Sequence, residues 1–391
     1  MPETTLQDAN AIADQLVAWR RHLHAHPEIS GQEEQTARYI ADELERMGYE
    51  TERRIGDTHG LTANLRVNDR PALALRADFD ALPIQEENEV EYASRNAGAM
   101  HACGHDAHTA MLLGAAAILK EKKDQLRRSV RFVFQPCEEA YPGGAAPMIA
   151  GGVLNNVDAI FGIHISSQLQ PGELGTRAGA IMSAVNDFGI TIHGKGGHAA
   201  MPEQCADPIV AAAHVIVALQ TITSRSISIT DSAVVSVTRI NAGTADNVLP
   251  ESVALRGTIR NLDETVRKHV CKRVKEIAET TALALGTRAE VEIEPGYPVV
   301  INDAKAVEQA FAAARLVGFD ERKLLPIPPI GGGEDFAYYL QKVPGAFVFL
   351  GAGNTDKQCH YPHHHPRFNI DEDMLPWGTA LHVQYALSRG A

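Results

Sequence analysis

Apolar positions recur with two different periods along this chain. Ile12, Leu16, Trp19 and Leu23 share one face of a helix predicted over residues 5–24. Ser30 followed by Glu33 has the form of a capping box opening a second helix. Ala37, Ile40, Leu44 and Met47 form its buried stripe, and Gly48 ends it. Short, mostly apolar runs at 72–76, 130–134 and 159–163 then read as strands buried on both faces. A helix over about 109–120 separates the first two of them. This alternation predicts an α/β layer fold with a largely parallel sheet.

Mid-chain the period changes. Phe188, Ile190 and Ile192 alternate as in a half-buried strand, and 207–223 reads as an apolar helix. Val235 with Val237, and Val253 with Leu255 and Ile259, mark two more strands. Val266, Val270, Val274 and Ile277 stripe a helix that stops at Gly286, and Val291 with Ile293 marks a last strand. The order β-α-β-β-α-β is that of a ferredoxin-like domain, placed at 184–294 and inserted into an α/β domain made of 1–183 and 295–391. The α/β pattern resumes with a helix at 304–316 and a strand at 346–350.

A chain of 391 residues exceeds what one ordinary core supports, which agrees with two domains. The net charge of −13 argues against nucleic acid and anionic membrane surfaces as partners. No apolar run is expected to reach transmembrane length, and the first residues lack the basic-then-apolar pattern of a secretion signal. Five scattered cysteines read as reduced thiols, so a cytoplasmic location is expected.

The polar residues that follow the strands change the picture from fold to chemistry. Asp78 and Asp80 follow the first buried run, Glu138 and Glu139 the second, and His164 closes the third. Ligands of open α/β sheets bind beyond the carboxyl ends of strands, so three strands deliver acids or imidazole to one edge. The segment His101-Ala102-Cys103-Gly104-His105-Asp106-Ala107-His108 adds a thiol and three imidazoles within eight residues. Thiolate and imidazole together favour zinc or a similar late first-row metal. Asp106 is expected to fix an imidazole tautomer. Of adjacent Glu138 and Glu139, one can bind metal while the other carries a proton. One of His363, His364 and His365 is a further candidate ligand, and spacing alone does not choose among them.

These residues sit in stretches that resemble the M20 metallopeptidase family in its amidohydrolase branch, which includes hippurate, N-acyl-amino-acid and auxin-conjugate hydrolases. The matching stretches are Arg20-Arg21-His22-Leu23-His24, Arg76-Ala77-Asp78-Phe79-Asp80, Met100 to Asp106, Gln135-Pro136-Cys137-Glu138-Glu139, Gly194 to Ala200, Gly257-Thr258-Ile259-Arg260 and Gly333-Glu334-Asp335-Phe336. The resemblance implies an aminopeptidase-like three-layer catalytic domain with the inserted ferredoxin-like domain mediating homodimers. It implies two divalent metals, zinc first and manganese, cobalt or nickel as alternatives, held by Cys103, His105, Glu139, His164 and His364, with Asp80 and Asp106 behind them. His364 is chosen because the family's ligand stands two places before a proline, here Pro366. It makes Glu138 the general base, His198 the donor to the transition state in the partner's active site, and Asn247 and Arg260 the residues that bind a substrate carboxylate. The substrate class it implies is the N-acyl-L-amino acids.

Cys137 and Ala140-Tyr141-Pro142 depart from the family's small residue and glycine-rich turn beside the two glutamates. Three other readings stay open: peptide cleavage as a peptidase or dipeptidase, a thiol enzyme using Cys103 as nucleophile with His105 as base, and a non-catalytic, metal-bound dimeric binding protein.

Overall fold

The three buried apolar runs lie at the centre of a mixed eight-stranded sheet in the computed structural model, which describes residues 4–388. The sheet order is Thr51–Arg53, Leu61–Leu65, Val130–Gln135, Ala72–Asp78, Val157–Ser166, Gly345–Gly351, Leu174–Thr176 and Leu324–Pro326. Four central strands are parallel: Ala72–Asp78 pairs in parallel with both Val130–Gln135 and Val157–Ser166, and the latter with Gly345–Gly351. Every residue of Ala72–Asp78 and of Gly345–Gly351 is buried, the signature of strands covered on both faces. The helix His105–Glu121 packs against Ala13–Ala25 and Leu375–Ser388, and the last also packs on Ala304–Val317. Short outer strands such as Leu61–Leu65 and Leu174–Thr176 have no strong pattern of their own and were not foreseen.

Local signals were partly redirected. The first helix is two, Thr5–Ala11 and Ala13–Ala25, interrupted at Ile12. A capping box exists at Thr4 and Gln7, not at Ser30 and Glu33. Ser30 Oγ instead donates to Asp80 Oδ2 (2.7 Å), and Glu33 accepts from Gly31 N and Cys137 N. The helix Glu34–Arg46 is capped from upstream by Glu28, whose Oε2 accepts from Thr36 N at 2.7 Å. The helix expected at 109–120 begins at His105, because Gly104 turns the chain with φ +89. A Cβ at Gly104 would stand 2.3 Å from Ile165 Cγ2, so only glycine permits both the turn and the close approach.

These elements belong to one compact unit of residues 4–179, Ile301–Pro328 and 335–388. The other unit is Ala180–Val300 with Pro329–Glu334. Its four-stranded antiparallel sheet has the order Ala233–Ala242, Ser252–Asn261, Ala184–His193, Arg288–Pro295. Along the chain its elements run β-α-β-β-α-β, with Pro208–Leu219 and Glu264–Ala284 as the helices. Asp207 and Asp263 cap these helices, each accepting from two backbone amides. Phe188, Ile190, Val253, Leu255 and Ile259 pack with Ala211, Val215, Val270 and Val274 in a separate core. Residues 329–334 join this unit through Ser183 N, which donates to Ile330 O and Gly332 O.

One expectation is corrected in this unit. Among the described residues, the stretch Pro208–Ser226 is long and apolar enough to cross a membrane by length and composition, with mean hydropathy 1.3. Alanine and β-branched residues raise its hydropathy, and Ala211, Ala212, Val215 and Leu219 are buried within the unit. All five cysteines are free.

Candidate metal centre

Parallel pairing fixes where the chemistry gathers. The strands Ala72–Asp78, Val130–Gln135, Val157–Ser166 and Gly345–Gly351 all point their carboxyl ends to one edge of the sheet. Asp78 closes its strand and His164 lies near the end of its own, while Asp80, Glu138, Glu139 and the turn at 363–365 follow the strand ends. The tight turn at Gly104 brings Cys103 and His105 to the same edge.

Cys103 Sγ lies 3.5 Å from His164 Nε2. His364 Nε2 lies 3.2 Å and His105 Nε2 3.9 Å from Glu139 Oε1. Among the described residues five donor groups have their ligand atoms within 4.8 Å of one another, and three of them contain the predicted ligands: Cys103, His105 and His164; Cys103, Glu139 and His364; His105, Glu138 and Glu139. The sequence-predicted ligands Cys103, His105, Glu139, His164 and His364 are thus brought together, with buried Glu138 beside them. Of the three consecutive histidines, His364 faces Glu139 and sits at φ +65, an uncommon backbone state for a side-chain-bearing residue.

Buried partners hold the donors in place. Asp80 Oδ1 and its carbonyl receive His105 Nδ1 at 3.1 and 3.0 Å, which leaves the Nε2 lone pair free. Asp80 Oδ2 accepts from Glu139 N (2.9 Å) as well as from Ser30. His164 Nδ1 donates to Ile165 O (2.6 Å), leaving Nε2 toward the sulfur. His108, although close to Asp78 and His105, has no atom to spare. Its Nδ1–H donates to Asp78 Oδ1 (2.6 Å) and its Nε2 accepts from Ile165 N (2.8 Å). Asp78 is also gripped by Arg76 (2.6 Å), which reaches Asp335 (3.0 Å) and Gln135 (3.0 Å). Asp106 does fix an imidazole, but that of His24 (2.7 Å), and it pairs with Arg20 at 2.8 Å. Arg20 was missed as a functional candidate. It also reaches Asn369 and Glu372, tying the segment after the histidine run to the helix that begins at His105.

The electrostatics test whether these residues fit a metal. Burial disfavours a charge on His105, but Asp78, Asp80 and Glu139 outweigh it and raise its pKa to about 10. Burial, then Glu139 and Glu138, holds the Cys103 thiol well above its ordinary value. Burial and the neighbouring His108 and His363 hold His164 well below its own. Buried acids therefore surround the site, His105 Nε2 has no hydrogen-bond partner, and Glu139 Oε1 meets the His364 imidazole. A divalent cation would satisfy the orphaned nitrogen and compensate the carboxylates, so the residues fit. The thiol-nucleophile reading fares badly, because a reactive cysteine needs a lowered pKa, and burial with Glu139 and Glu138 raises that of Cys103.

His198, Asn247 and Arg260 belong to the other unit. The two-residue strands Gly197–His198 and Val248–Leu249 pair, and Ala199 N donates to Asn247 O (3.1 Å), so His198 and Asn247 are neighbours. Both are exposed. Arg260 lies on Ser252–Asn261 and bonds its own strand, at Thr258 Oγ1 and at Ile259 O.

The sequence profile of peptidase family M20/M25/M40 matches residues 74–388. The chain is 39% identical over 389 residues to thermostable carboxypeptidase 2 of Saccharolobus solfataricus, covering 98% of each. It is 41% identical over 378 residues to N-acetylcysteine deacetylase of Bacillus subtilis, covering 96% of this chain and 97% of that one. The structure resembles that of the Bacillus subtilis YXEP protein, a dinuclear metal-binding peptidase of the M20 family. TM-score is 0.84, identity 37%, and coverage 97% of this chain and 98% of that one.

Proposed function

The chain belongs to peptidase family M20/M25/M40, and from that membership we propose that it cleaves the amide bond of N-acyl-L-amino acids, giving a carboxylic acid and a free amino acid. The observation that carries this reading is a buried carboxylate, Glu138, set beside a five-residue donor set. Cys103, His105, Glu139, His164 and His364 would hold two divalent ions, which would supply Lewis-acid polarisation of the carbonyl and a lowered pKa for the attacking water. Zinc suits the mixture of thiolate, imidazole and carboxylate first, with manganese, cobalt and nickel as alternatives. Glu138 takes the proton of the water and passes it to the departing amine. In a homodimer His198 would donate a hydrogen bond to the oxyanion developing in the partner protomer's active site. Arg260 and Asn247 bind the free carboxylate of the amino-acid half, which selects acyl amino acids over plain amides.

The carboxypeptidase relative favours a second reading, peptide cleavage. Purified protein, stripped with a chelator and reloaded with zinc or manganese, should be assayed on N-acetyl, N-benzoyl and indole-acetyl amino acids beside dipeptides. Metal-restored release of the amino acid from an acyl conjugate is expected. Faster turnover of dipeptides would transfer the assignment to the second reading, and no turnover of either class would overturn both.

A further inference from the structure

Beyond the proposed ligands, one more imidazole approaches the same sulfur. His363 Nδ1 lies 3.8 Å from Cys103 Sγ. Its ring stands edge-on to His164, with centroids 5.1 Å apart, and leans on Phe368 at 4.8 Å. The turn that carries it is fastened to the cysteine loop, because His364 N donates to Ala102 O at 2.8 Å. The ring is therefore held against the sulfur from three directions.

We infer that His363 is a positioning residue whose Nδ1–H donates a hydrogen bond to the Cys103 sulfur when that sulfur is a metal ligand. This rests on the reading of Cys103 as a ligand. A metal-bound thiolate has lone pairs and no proton, so whatever hydrogen bond joins it to an imidazole must take its proton from the ring. His164 cannot supply one, since its N–H already points to Ile165 O and its Nε2 faces the sulfur as a lone pair. His105 has its Nδ1 committed to Asp80. His363 is left as the donor to the sulfur, its ring also lying against the Cys103 backbone. Nor does it compete with its neighbour for the metal, because His364, not His363, meets Glu139 and joins a donor group. The bond would fix the cysteine rotamer and draw electron density off the sulfur, which leaves the bound cation a stronger Lewis acid.

The test uses the cobalt(II)-loaded full-length protein and its near-ultraviolet thiolate-to-cobalt charge-transfer band. A hydrogen bond stabilises the sulfur lone pair from which the electron leaves. His363→Leu should therefore move the band to longer wavelength and weaken cobalt binding by about 10–100-fold, the usual cost of losing a partner behind a ligand. His363→Gln, which still offers an N–H, should leave band and affinity near those of the unaltered protein. A band that does not move in His363→Leu overturns the inference, as does a Gln variant that behaves like the Leu one. Loss of one bound cobalt with the band intact would make His363 a ligand and overturn it too. Cys103→Ser separates the two levels. If the unaltered protein shows no band that this substitution removes, the metal-ligand reading of Cys103 itself fails.

Discussion

The donor set of the first unit and the trio His198, Asn247 and Arg260 of the second are built in opposite ways. Around the donors, buried side chains share several partners each: Asp80 alone binds His105, Glu139 N and Ser30. Arg76, Asp78 and His108 form a further buried layer behind them. In the second unit His198 and Asn247 are exposed, and Arg260 rests on its own strand. A cation site must be pre-formed, because its ligands repel or desolvate one another unless something fixes them. Groups that meet a transient substrate gain from remaining free until it arrives.

That contrast can be broken experimentally. Glu138→Ala should lower kcat by about 10²–10⁴-fold with metal content unchanged, as measured by turnover and elemental analysis. Metal loss on this substitution would place Glu138 among the ligands. His198→Ala should cost about 10²–10³-fold in kcat while leaving metal content and Tm untouched. A fall in metal affinity there would erase the division between the two regions. Asp80→Ala attacks the opposite side. It should weaken metal binding by about 10–100-fold, read by competition with a chromophoric chelator, and excess metal should restore turnover.

The smallest effect concerns the support beneath Glu139's loop. Burial raises Glu33 from its ordinary 4.5 to about 7, against the amides of Gly31 and Cys137. Between those values the folded chain holds more protons than the unfolded one, so stability falls as pH rises through that window. Glu33→Gln should flatten this slope in urea melts from pH 4.5 to 7. An unchanged slope would mean that the acid is not desolvated.

The parts of this design that announce themselves in sequence are those with strong local chemistry. The 72–76 run could be read because a strand buried on both faces has no polar alternation to obscure it. The loop around Cys103 could be read because thiol and imidazole rarely crowd together by chance. Asp106 is expected behind a metal-binding imidazole, but a contact with His24, 82 residues distant, takes its carboxylate instead. Ser30 and Glu33 fit a capping pattern, but burial against Asp80 and Cys137 claimed their side chains first. In the run at 363–365 the three histidines are identical in kind. Only the backbone turn decides that His364 faces Glu139 while His363 faces the sulfur.

The proposed ligands are scattered through the chain, and the whole second unit is encoded between His164 and His364. A ribosome must translate that unit and continue past residue 364 before a complete cage exists. Any ion recruited earlier would be held by a partial set and exchange freely with its surroundings. Metallation of the proposed site would therefore be a late event in the life of each molecule, and the divalent metal available at that moment, more than affinity alone, would decide which ion the finished protein carries.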